Sequence, residues 1–518
     1  MNSPKRLFLL ALLPAVLWGG SSDRPNVLFI SVDDLKPVLS SYGDPIAKTP
    51  NFDRLAEMGV TFTNAHAQQA VCGPSRASLL TGLRPDRTQV WDLSTKIRSV
   101  NPEVITLPQY FKDNGYETLG IGKIFDARSV QGPAEDDPIS WSRPYLQDPG
   151  NPDEALGYIN PQIVSEVRQI FPDPPASYGE ELARRKAIGG VPAFEGTYDV
   201  PDEGYGDGRI AAIAAGLIEE LSATDQPFFL GVGFNKPHLP FNAPKKYWDL
   251  YSASDFELAK ISSLPEGAPS YHFQPSWEIR NGHYLDIPPQ SSPQTIDSEM
   301  AQTLIHGYYA CVSYVDAQLG KLLDALEESG ELENTIIVLW GDHGYHFGDH
   351  GMWCKHTNYE QATRTVLMIA EPGNPAVAQS ELYTHPVELV DLYRTIADLA
   401  QLPQPVDIDG MSLVPVLENP ETRAKDYAVS QFHRKYPGGD RIMGYAWRSD
   451  RYRYIEWIDL RYTEGDRTGA VLDRELYDYQ EDPLESRNLA DDPAYAVALA
   501  QMQDLAADYK AKQGLVTP

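Results

Sequence analysis

The sequence predicts an α/β protein with a large, mixed but mostly parallel sheet flanked by helices, followed by a small C-terminal antiparallel sheet with a helix. Three observations indicate this fold class. Short strand patterns alternate with helical patterns up to about residue 417. Charged residues directly follow several of these strands. Beyond residue 417, aromatic residues and arginines come in nearly alternating order, as in antiparallel strands.

The strand and helix patterns recur along the chain in regular order. Residues 27–32 are apolar except for Ser31, as expected for a parallel strand buried on both faces. A helix is expected at 51–58, with Thr49 as its cap and Gly59 as its end. Further strands are expected at 117–121, 228–234 and 335–340, and further helices at 107–114, 209–221 and 301–329.

Two long segments interrupt this rhythm, and both are rich in Pro, Gly, Asp and Tyr. Residues 128–208 and 252–297 are expected to form walls around a substrate site, because loops of this length are usually functional or disordered. Surface decoration is the alternative. The second domain is expected at 418–518, with strands within 442–457 and 475–479 and a closing helix at 492–510.

The composition excludes some classes of function. The formal net charge of −30 argues against a nucleic-acid partner, which would require a basic surface. Residues 1–22 resemble a signal peptide, with Lys5 and Arg6 before an apolar stretch too short for the roughly 20 residues that span a bilayer. We therefore expect residues 23–417 to form the catalytic domain of a protein exported to a periplasmic, extracellular or lysosome-like compartment, without stable membrane insertion.

Charged residues collect where the predicted strands end. Asp33 and Asp34 follow the first strand, Lys123 follows the second, Lys236 and His238 the third, and Asp342 and His343 the fourth. Ligands of open α/β sheets bind beyond the carboxyl ends of the strands, so these side chains are expected to meet in one site. Three carboxylates and a histidine suit Ca²⁺, with Mg²⁺ as the alternative.

Cys72 is unusual in this setting. The chain has only three cysteines, an odd number for an exported protein, and no disulfide framework is evident. A soft thiolate is a poor ligand for Ca²⁺, whereas an oxygen nucleophile at the same position would fit the site well. Pro74 predicts a helix start just after Cys72, and Arg76 in the first turn is placed to hold an anionic oxygen.

The residues around Cys72 resemble the signature of the sulfatase family. The pattern C-x-P-S-R followed by T-G is present as Cys72, Pro74, Ser75, Arg76, Thr81 and Gly82. Segments such as "RPNVLFISVDDLKP", "NKPHLPF" and "WGDHGYHFGDHGMWCKHTN" are similar to the iduronate-2-sulfatase branch of that family, over about residues 24–488. The resemblance implies an alkaline-phosphatase-like fold and hydrolysis of sulfate esters on a sulfated saccharide.

The resemblance also implies residue roles. A formylglycine-generating enzyme would oxidise Cys72 to formylglycine, whose hydrate is the nucleophile. Asp33, Asp34, Asp342 and His343 would hold the cation together with modified Cys72. Arg76 would orient the formylglycine, Lys123 and Lys355 would bind sulfate oxygens, His238 would protonate the leaving oxygen, and Lys236 would line the pocket.

One position departs from the family pattern. Asp126 stands where the iduronate-2-sulfatase branch carries a histidine, which places a negative charge near the expected sulfate. Asp126 and Tyr345 are candidate substrate contacts, as are Trp91 and Arg98, for which a solvated loop is the alternative. Two other functions remain open: a phosphodiester or phosphonate hydrolase of the same superfamily, and a glycan-binding protein in which Cys72 is never oxidised.

Overall fold

The computed structural model describes residues 24–170, 178–285, 287–289, 292, 295–437 and 441–517, so the expected signal peptide at 1–22 lies outside the described part. Seven strands form the main sheet in the order β7-β2-β6-β5-β1-β4-β3. β6 runs opposite to the other six strands, because it pairs antiparallel with both β5 and β2. Their bounds are β1 (Asn26–Val32), β2 (Gly59–Phe62), β3 (Glu117–Gly122), β4 (Phe228–Phe234), β5 (Thr335–Gly341), β6 (Leu367–Ala370) and β7 (Glu381–Tyr383).

Helices cover both faces of this sheet, which confirms the predicted α/β architecture. Alternate residues of β1 enter two separate cores: Leu28 and Ile30 pack on one side, and Val27 and Phe29 on the other. This double burial explains the uninterrupted apolar run. The principal helices are α1 (Pro50–Glu57), α2 (Cys72–Thr81), α3 (Leu107–Asp113), α4 (Pro161–Ile170), α5 (Tyr178–Ala187), α6 (Gly206–Ser222), α7 (Trp277–Asn281), α8 (Ser298–Ser329) and α9 (Leu392–Leu399).

The helix that carries Cys72 begins one residue earlier than the sequence predicts. Cys72 is the first residue of α2, preceded by the extended residue Val71, so the expected start just after Cys72 is wrong. Pro74 lies third in the helix, where its missing N–H removes no intrahelical bond. α2 ends at Gly82, which adopts a left-handed conformation with φ of 68°.

The C-terminal part forms a four-stranded antiparallel sheet in sequential order, closed by a helix. One face packs on the helix, bringing Tyr445 and Trp447 against Met502 and Tyr509. The opposite face carries Ile455 and packs on the segment that follows the main sheet's β5. The bounds are β8 (Ala428–Lys435), β9 (Arg441–Arg448), β10 (Tyr452–Ile458), β11 (Val471–Asp478) and α10 (Ala496–Gln513).

The remaining short strands of the described residues form small sheets of two or three strands. Among the residues that the structure describes, no helix has the length and apolar character needed to cross a bilayer. The three cysteines Cys72, Cys311 and Cys354 are all buried free thiols, in agreement with the absence of a disulfide pattern. Helix α9 begins at Leu392, after a short strand and a single turn of 3-10 helix.

Candidate active site

The carboxyl ends of the central strands bring the predicted acidic residues together. Asp33 and Asp34 follow β1, and Asp342 and His343 follow β5, its parallel neighbour. All four side chains are buried. The backbone N–H of Asp34 donates to Asp342 at 3.0 Å, which ties the two strand ends to each other. Asp34 has a φ of 61°, a left-handed conformation that aspartate tolerates better than most residues.

These residues form two overlapping groups with metal-ligand spacing. The ligand atoms of Asp33, Asp34, Cys72 and His238 lie within 4.8 Å of one another, and so do those of Cys72, Asp342 and His343. The donor set consists mainly of hard carboxylate oxygens with one imidazole from His343, which suits a Ca²⁺ or Mg²⁺ ion.

The tautomer of His343 also fits a bound cation. Its Nδ1 lies 2.9 Å from the carbonyl oxygen of Gly344, which only accepts, so the ring proton is on Nδ1. Nε2 then faces Asp34 at 3.4 Å and Asp342 at 3.6 Å. With a neutral ring, the lone pair of Nε2 and the oxygens of the two carboxylates would converge as donors, an arrangement that fits a metal ion.

Arg76 supports this acidic cluster from the side of α2. Its guanidinium is fully buried and contacts Asp342 at 2.9 Å and Asp33 at 3.1 Å. It also donates to the backbone carbonyls of Lys123 and Ile124 at the end of β3. Arg76 therefore joins α2, β1, β3 and β5 at the site.

Two lysines complete the charge balance. Lys123 contacts Asp33 at 2.5 Å, and Lys355 lies 2.8 Å from both oxygens of Asp34. Burial would raise the pKa of Asp33, but Lys123, His238 and Arg76 outweigh burial and hold that pKa well below its usual range. Asp33 is therefore ionised, and its charge is shared among these cationic neighbours.

Cys72 faces this cluster from the first residue of α2. Its Sγ lies 3.4 Å from Nε2 of His343 and 3.9 Å from Asp34. Burial, together with the charge of Asp33, raises the pKa of the Cys72 thiol well above its ordinary value despite Lys123 and Lys355. An unmodified thiol is therefore protonated here and is a weak nucleophile.

His238 lies on the open side of the site with a defined tautomer. Its Nδ1 is 2.8 Å from the carbonyl oxygen of Leu239, so Nδ1 carries a proton. Its Nε2 lies 2.8 Å from Glu278, which also contacts Lys355 at 2.8 Å. Burial alone would lower the pKa of His238, but Asp34 and Glu278 outweigh burial and Lys355 and hold the pKa above its ordinary value.

A cavity of about 690 Å³ opens above Cys72. Both long segments contribute to its walls, the first through residues such as Arg128 and Arg185 and the second through Trp277 and Glu278. Basic residues outnumber acidic ones along the walls, although the chain as a whole is strongly acidic. The basic lining residues are Lys123, Arg128, Arg168, Arg184, Arg185, Arg209, Lys236 and Lys355, and the acidic ones are Asp33, Asp148, Glu154, Glu181 and Glu278.

Some candidate substrate contacts lie away from this cavity. Trp91 is 9% exposed and donates to Asp86 at 3.3 Å within the core of the C-terminal sheet. Arg98 forms a two-point ion pair with Asp137 at 2.6 and 2.7 Å. Tyr345 is fully buried against Cys354. The structure does not bring these three candidates to the cavity wall.

Lys236 and Asp126 lie at the site, but both side chains bind other groups of the protein. Lys236 lines the cavity, but its ammonium donates to the carbonyls of His238 and Pro240 at 3.1 and 2.6 Å and so braces the histidine loop. Asp126 is 2% exposed and holds Arg128, which does line the cavity.

Sequence reasoning missed Glu278 and Arg128. Glu278 lies in α7, inside a segment without a strand to anchor the prediction, and no local pattern indicates its contact with His238. Arg128 could have been found from its spacing, because it follows Asp126 by two residues and opens the long segment.

Comparison with protein families agrees with this geometry. The model of the sulfatase family matches residues 25–402, which is most of the chain. The chain belongs to the sulfatase family. A second family model, described as the C-terminal part of N-sulphoglucosamine sulphohydrolase, matches residues 348–512. This sulfatase is therefore a sulfuric ester hydrolase, and its C-terminal sheet lies within the residues that the second model matches.

Two curated proteins and one solved structure illustrate the relationship. The sulfatase is 32% identical to iduronate 2-sulfatase of Mus musculus, with 96% of each chain covered. It is 34% identical to a sulfatase of Formosa agariphila, covering 90% of this chain and 83% of that protein. BT4656, solved in complex with its substrate D-glucosamine-2-N,6-O-disulfate, superposes with a TM-score of 0.70 at 23% identity, covering 94% of this chain and 98% of that one. That structure confirms the fold.

Proposed function

We propose that this sulfatase removes sulfate from a sulfated sugar and uses formylglycine, formed from Cys72, together with a divalent cation. The observation that carries the proposal is the position of Cys72 on the first residue of α2, facing Asp34 and His343 in one buried acidic site. Relatives named iduronate 2-sulfatase favour a 2-sulfated iduronate unit as the first substrate to test. Sulfated uronate or fucose polymers of marine origin are equally strong alternatives.

The proposed cation is Ca²⁺, with Mg²⁺ as the alternative, and its ligands would be Asp33, Asp34, Asp342, His343 and modified Cys72. When bound, the cation would supply charge neutralisation among the carboxylates and polarise the sulfuryl group. The formylglycine-generating enzyme would convert the Cys72 thiol to an aldehyde, whose hydrate supplies an oxygen nucleophile. That conversion accounts for a cysteine in a site of hard oxygen ligands, where a protonated thiol is a poor nucleophile.

The chain's own residues would then divide the remaining work. Lys355, which is buried, and Lys123, whose side chain is 18% exposed, are cationic groups beside the acidic cluster. They would bind the sulfuryl oxygens and stabilise the charge that builds on them. Arg76 would hold the side chains of Asp33 and Asp342 in fixed positions relative to the start of α2. Because these cations are fixed before substrate enters, little reorganisation is needed during the reaction.

His238 would donate the proton that the leaving alcohol oxygen requires. Its Nδ1 proton is held by the carbonyl of Leu239, so the proton available for transfer is on Nε2, which faces the cavity beside Glu278. A histidine is suited to this role because its charge changes near neutral pH. Lys236 would support the reaction indirectly, by binding the backbone carbonyls of His238 and of Pro240, two residues further on.

We also propose that the protein acts outside the cytoplasm, because residues 1–22 have the pattern of a signal peptide. Sequencing the N-terminus of the protein purified from its native host tests this. A mature chain that begins near residue 23 supports export, and a chain that retains Met1 contradicts it.

The experiment that tests the catalytic proposal is mass spectrometry of the protein from its native host, combined with ester assays. We expect the peptide containing Cys72 to show the mass of an aldehyde or its hydrate and to react with a hydrazide probe. The peptides containing Cys311 and Cys354 are internal controls, since both should remain thiols that iodoacetamide alkylates.

The assays compare matched sulfate and phosphate or phosphonate esters of the same alcohol. Preferential hydrolysis of the sulfate ester supports the proposal, whereas a preference for the phosphonate ester identifies a phosphonate hydrolase. An unmodified Cys72 thiol in folded, cation-loaded protein, with saccharide binding but no turnover, would identify a glycan-binding protein instead.

A further inference from the structure

Asp126 and Arg128 form a fixed pair at the start of the first long segment. The backbone N–H and Nε of Arg128 donate to one oxygen of Asp126 at 3.0 and 2.8 Å, and Nη2 donates to the other oxygen at 2.6 Å. The carboxylate is 2% exposed, and the carbonyl of Asp126 accepts a further hydrogen bond from Ser129. A two-point carboxylate contact of this kind fixes both the position and the plane of a guanidinium.

Asp126 and Arg128 are both ionised, and the buried carboxylate of Asp126 does not face the cavity. Burial would raise the pKa of Asp126, but Arg128 and Lys123 outweigh burial and lower that pKa to about 2. The negative charge at this departure from the family pattern is therefore matched by Arg128 and does not stand alone beside a sulfate. Of the two side chains, that of Arg128 lines the cavity.

Arg128 is placed beside the reactive end of the cavity. Its side chain is 36% exposed and lines the same cavity as Cys72 and Lys123. Through Asp126 the guanidinium is tied to the loop that carries Lys123, three residues earlier in the chain. A cation held rigidly at this position, next to the residues that would take the scissile sulfate, suits a second anionic group on the same sugar.

We propose that Arg128, oriented by Asp126, binds a second anion on the sugar that carries the scissile sulfate. This inference rests on the proposed function and narrows it to polyanionic sugars, such as a sulfated uronate or a disulfated unit. A carboxylate and a sulfate both match the donor geometry of a guanidinium, so the chemistry they share is recognition of a planar or tetrahedral oxyanion. A sulfated sugar with no second anion would cover this partly exposed guanidinium without offering it an oxyanion, which disfavours that substrate.

The test compares three sulfate esters with wild-type protein and Arg128→Gln. One ester carries a carboxylate, as in a 2-sulfated uronate, one carries a second sulfate, and one is an aryl sulfate with no other charge. We expect kcat/KM on at least one of the two polyanionic esters to fall about 10- to 100-fold more than on the aryl sulfate, which is the range for losing a charged hydrogen bond. The ester that shows the larger loss identifies the anion that Arg128 binds.

Asp126→Asn tests whether Asp126 acts as a positioning residue. This variant keeps the shape of the side chain but removes the charge that holds the guanidinium, so we expect a higher KM for the polyanionic ester with kcat nearly unchanged. Arg128→Lys should recover part of the loss seen in Arg128→Gln, because the charge returns without the two-point geometry. Arg143→Gln is the control, since Arg143 is 40% exposed and pairs with Glu117 and Glu220 away from the cavity.

A binding measurement separates this inference from the proposed function. Calorimetry with a desulfated uronate and with a disulfated sugar, against a neutral monosaccharide, reports anion capture without turnover. Weaker binding of an anionic sugar to Arg128→Gln, with neutral-sugar binding unchanged, supports the inference even if every sulfate ester resists hydrolysis. Equal losses on all three esters, or unchanged binding of both anionic sugars, would overturn it.

Discussion

At the scale of single residues, Arg76 is the side chain on which the acidic site most depends. It is fully buried and spans Asp33 and Asp342, so its loss removes a compensating charge from two carboxylates in the protein interior. Truncating one member of a buried pair is far more costly than truncating a surface pair, because the remaining charge stays desolvated.

We therefore expect Arg76→Met to lower the free energy of unfolding of the cation-free protein by about 3–5 kcal/mol. Chemical denaturation measures this change. Arg143→Met is the matched control, because Arg143 also contacts two carboxylates but is 40% exposed, and it should cost about 1 kcal/mol or less. Equal losses in the two variants would contradict the importance assigned to burial at Arg76.

Individual site residues differed in how far the sequence could predict them. Asp33, Asp34 and Asp342 could be predicted, because they directly follow buried strands and ligand-binding groups of α/β sheets collect at the carboxyl ends of the strands. Glu278 could not be predicted, since its contact with His238 depends on how a long segment folds back over the sheet. Trp91 was also beyond reach, because its partner Tyr462 is distant in the chain and no local pattern pairs them.

At the scale of elements, α2 sets the position of Cys72, and its far end is fixed by Gly82. A Cβ at Gly82 would lie 2.9 Å from Tyr393 and 3.0 Å from Ile408, in addition to the left-handed φ of 68°. The tight packing means that the end of α2 has little room to adjust, and any shift would be transmitted along the helix to Cys72.

Gly82→Ala tests this arrangement. The control is Gly514→Ala, because Gly514 ends α10 with nearly the same φ of 67° but a Cβ added there would meet only open space. The backbone strain common to both should cost about 1–2 kcal/mol in unfolding free energy, and Gly82→Ala should cost more and also reduce kcat. Thermal unfolding and turnover measure the two effects. Equal stability losses with full activity in Gly82→Ala would show that the contacts at Gly82 do not matter.

The elements themselves were predicted best in the middle of the sheet. β1 and β4 are buried on both faces, and their apolar runs marked them clearly. β2, β6 and β7 were not predicted, because they are only three or four residues long and their pairing depends on distant partners. β8 was missed for a similar reason, since Gln431 and His433 interrupt its apolar pattern.

At the scale of the whole molecule, buried histidines link stability to pH. Burial lowers the pKa of His66 to about 3 and that of His433 to about 4. In the unfolded chain a histidine titrates near pH 6.5. Below that pH the unfolded chain takes up protons that the folded protein excludes, so the free energy of unfolding falls as the pH drops from 6.5 toward these lower values.

We expect the unfolding free energy of the wild-type protein to decrease from about pH 7 to about pH 4, and His66→Gln to decrease less steeply. Chemical denaturation across that range measures the slopes. His385→Gln is the control, because His385 lies at the surface with 34% of its side chain exposed, and its slope should follow the wild type. A slope for His66→Gln as steep as that of the wild type would argue against a neutral, buried His66.

The contrast between an acidic molecule and a basic cavity has a kinetic consequence. A polyanionic saccharide approaching this protein is repelled by the net charge of −30 before it can reach the cationic walls of the cavity. Added salt shortens the Debye length to about 10 Å at 0.1 M, which weakens this distant repulsion more than the close contacts inside the cavity.

The encounter with a polyanion should therefore be faster at moderate ionic strength than in dilute buffer, the reverse of the usual behaviour of proteins that attract their ligands. Raising the salt from about 0.01 to about 0.15 M should increase kcat/KM for a polyanionic oligosaccharide and change it less for a monoanionic aryl sulfate. A steady fall in kcat/KM for the oligosaccharide with rising salt would mean that attraction by the cationic cavity walls outweighs repulsion by the net charge of the protein. Dissolved salt would thus speed the entry of a polyanionic substrate by screening the repulsion, so turnover would be favoured in saline surroundings.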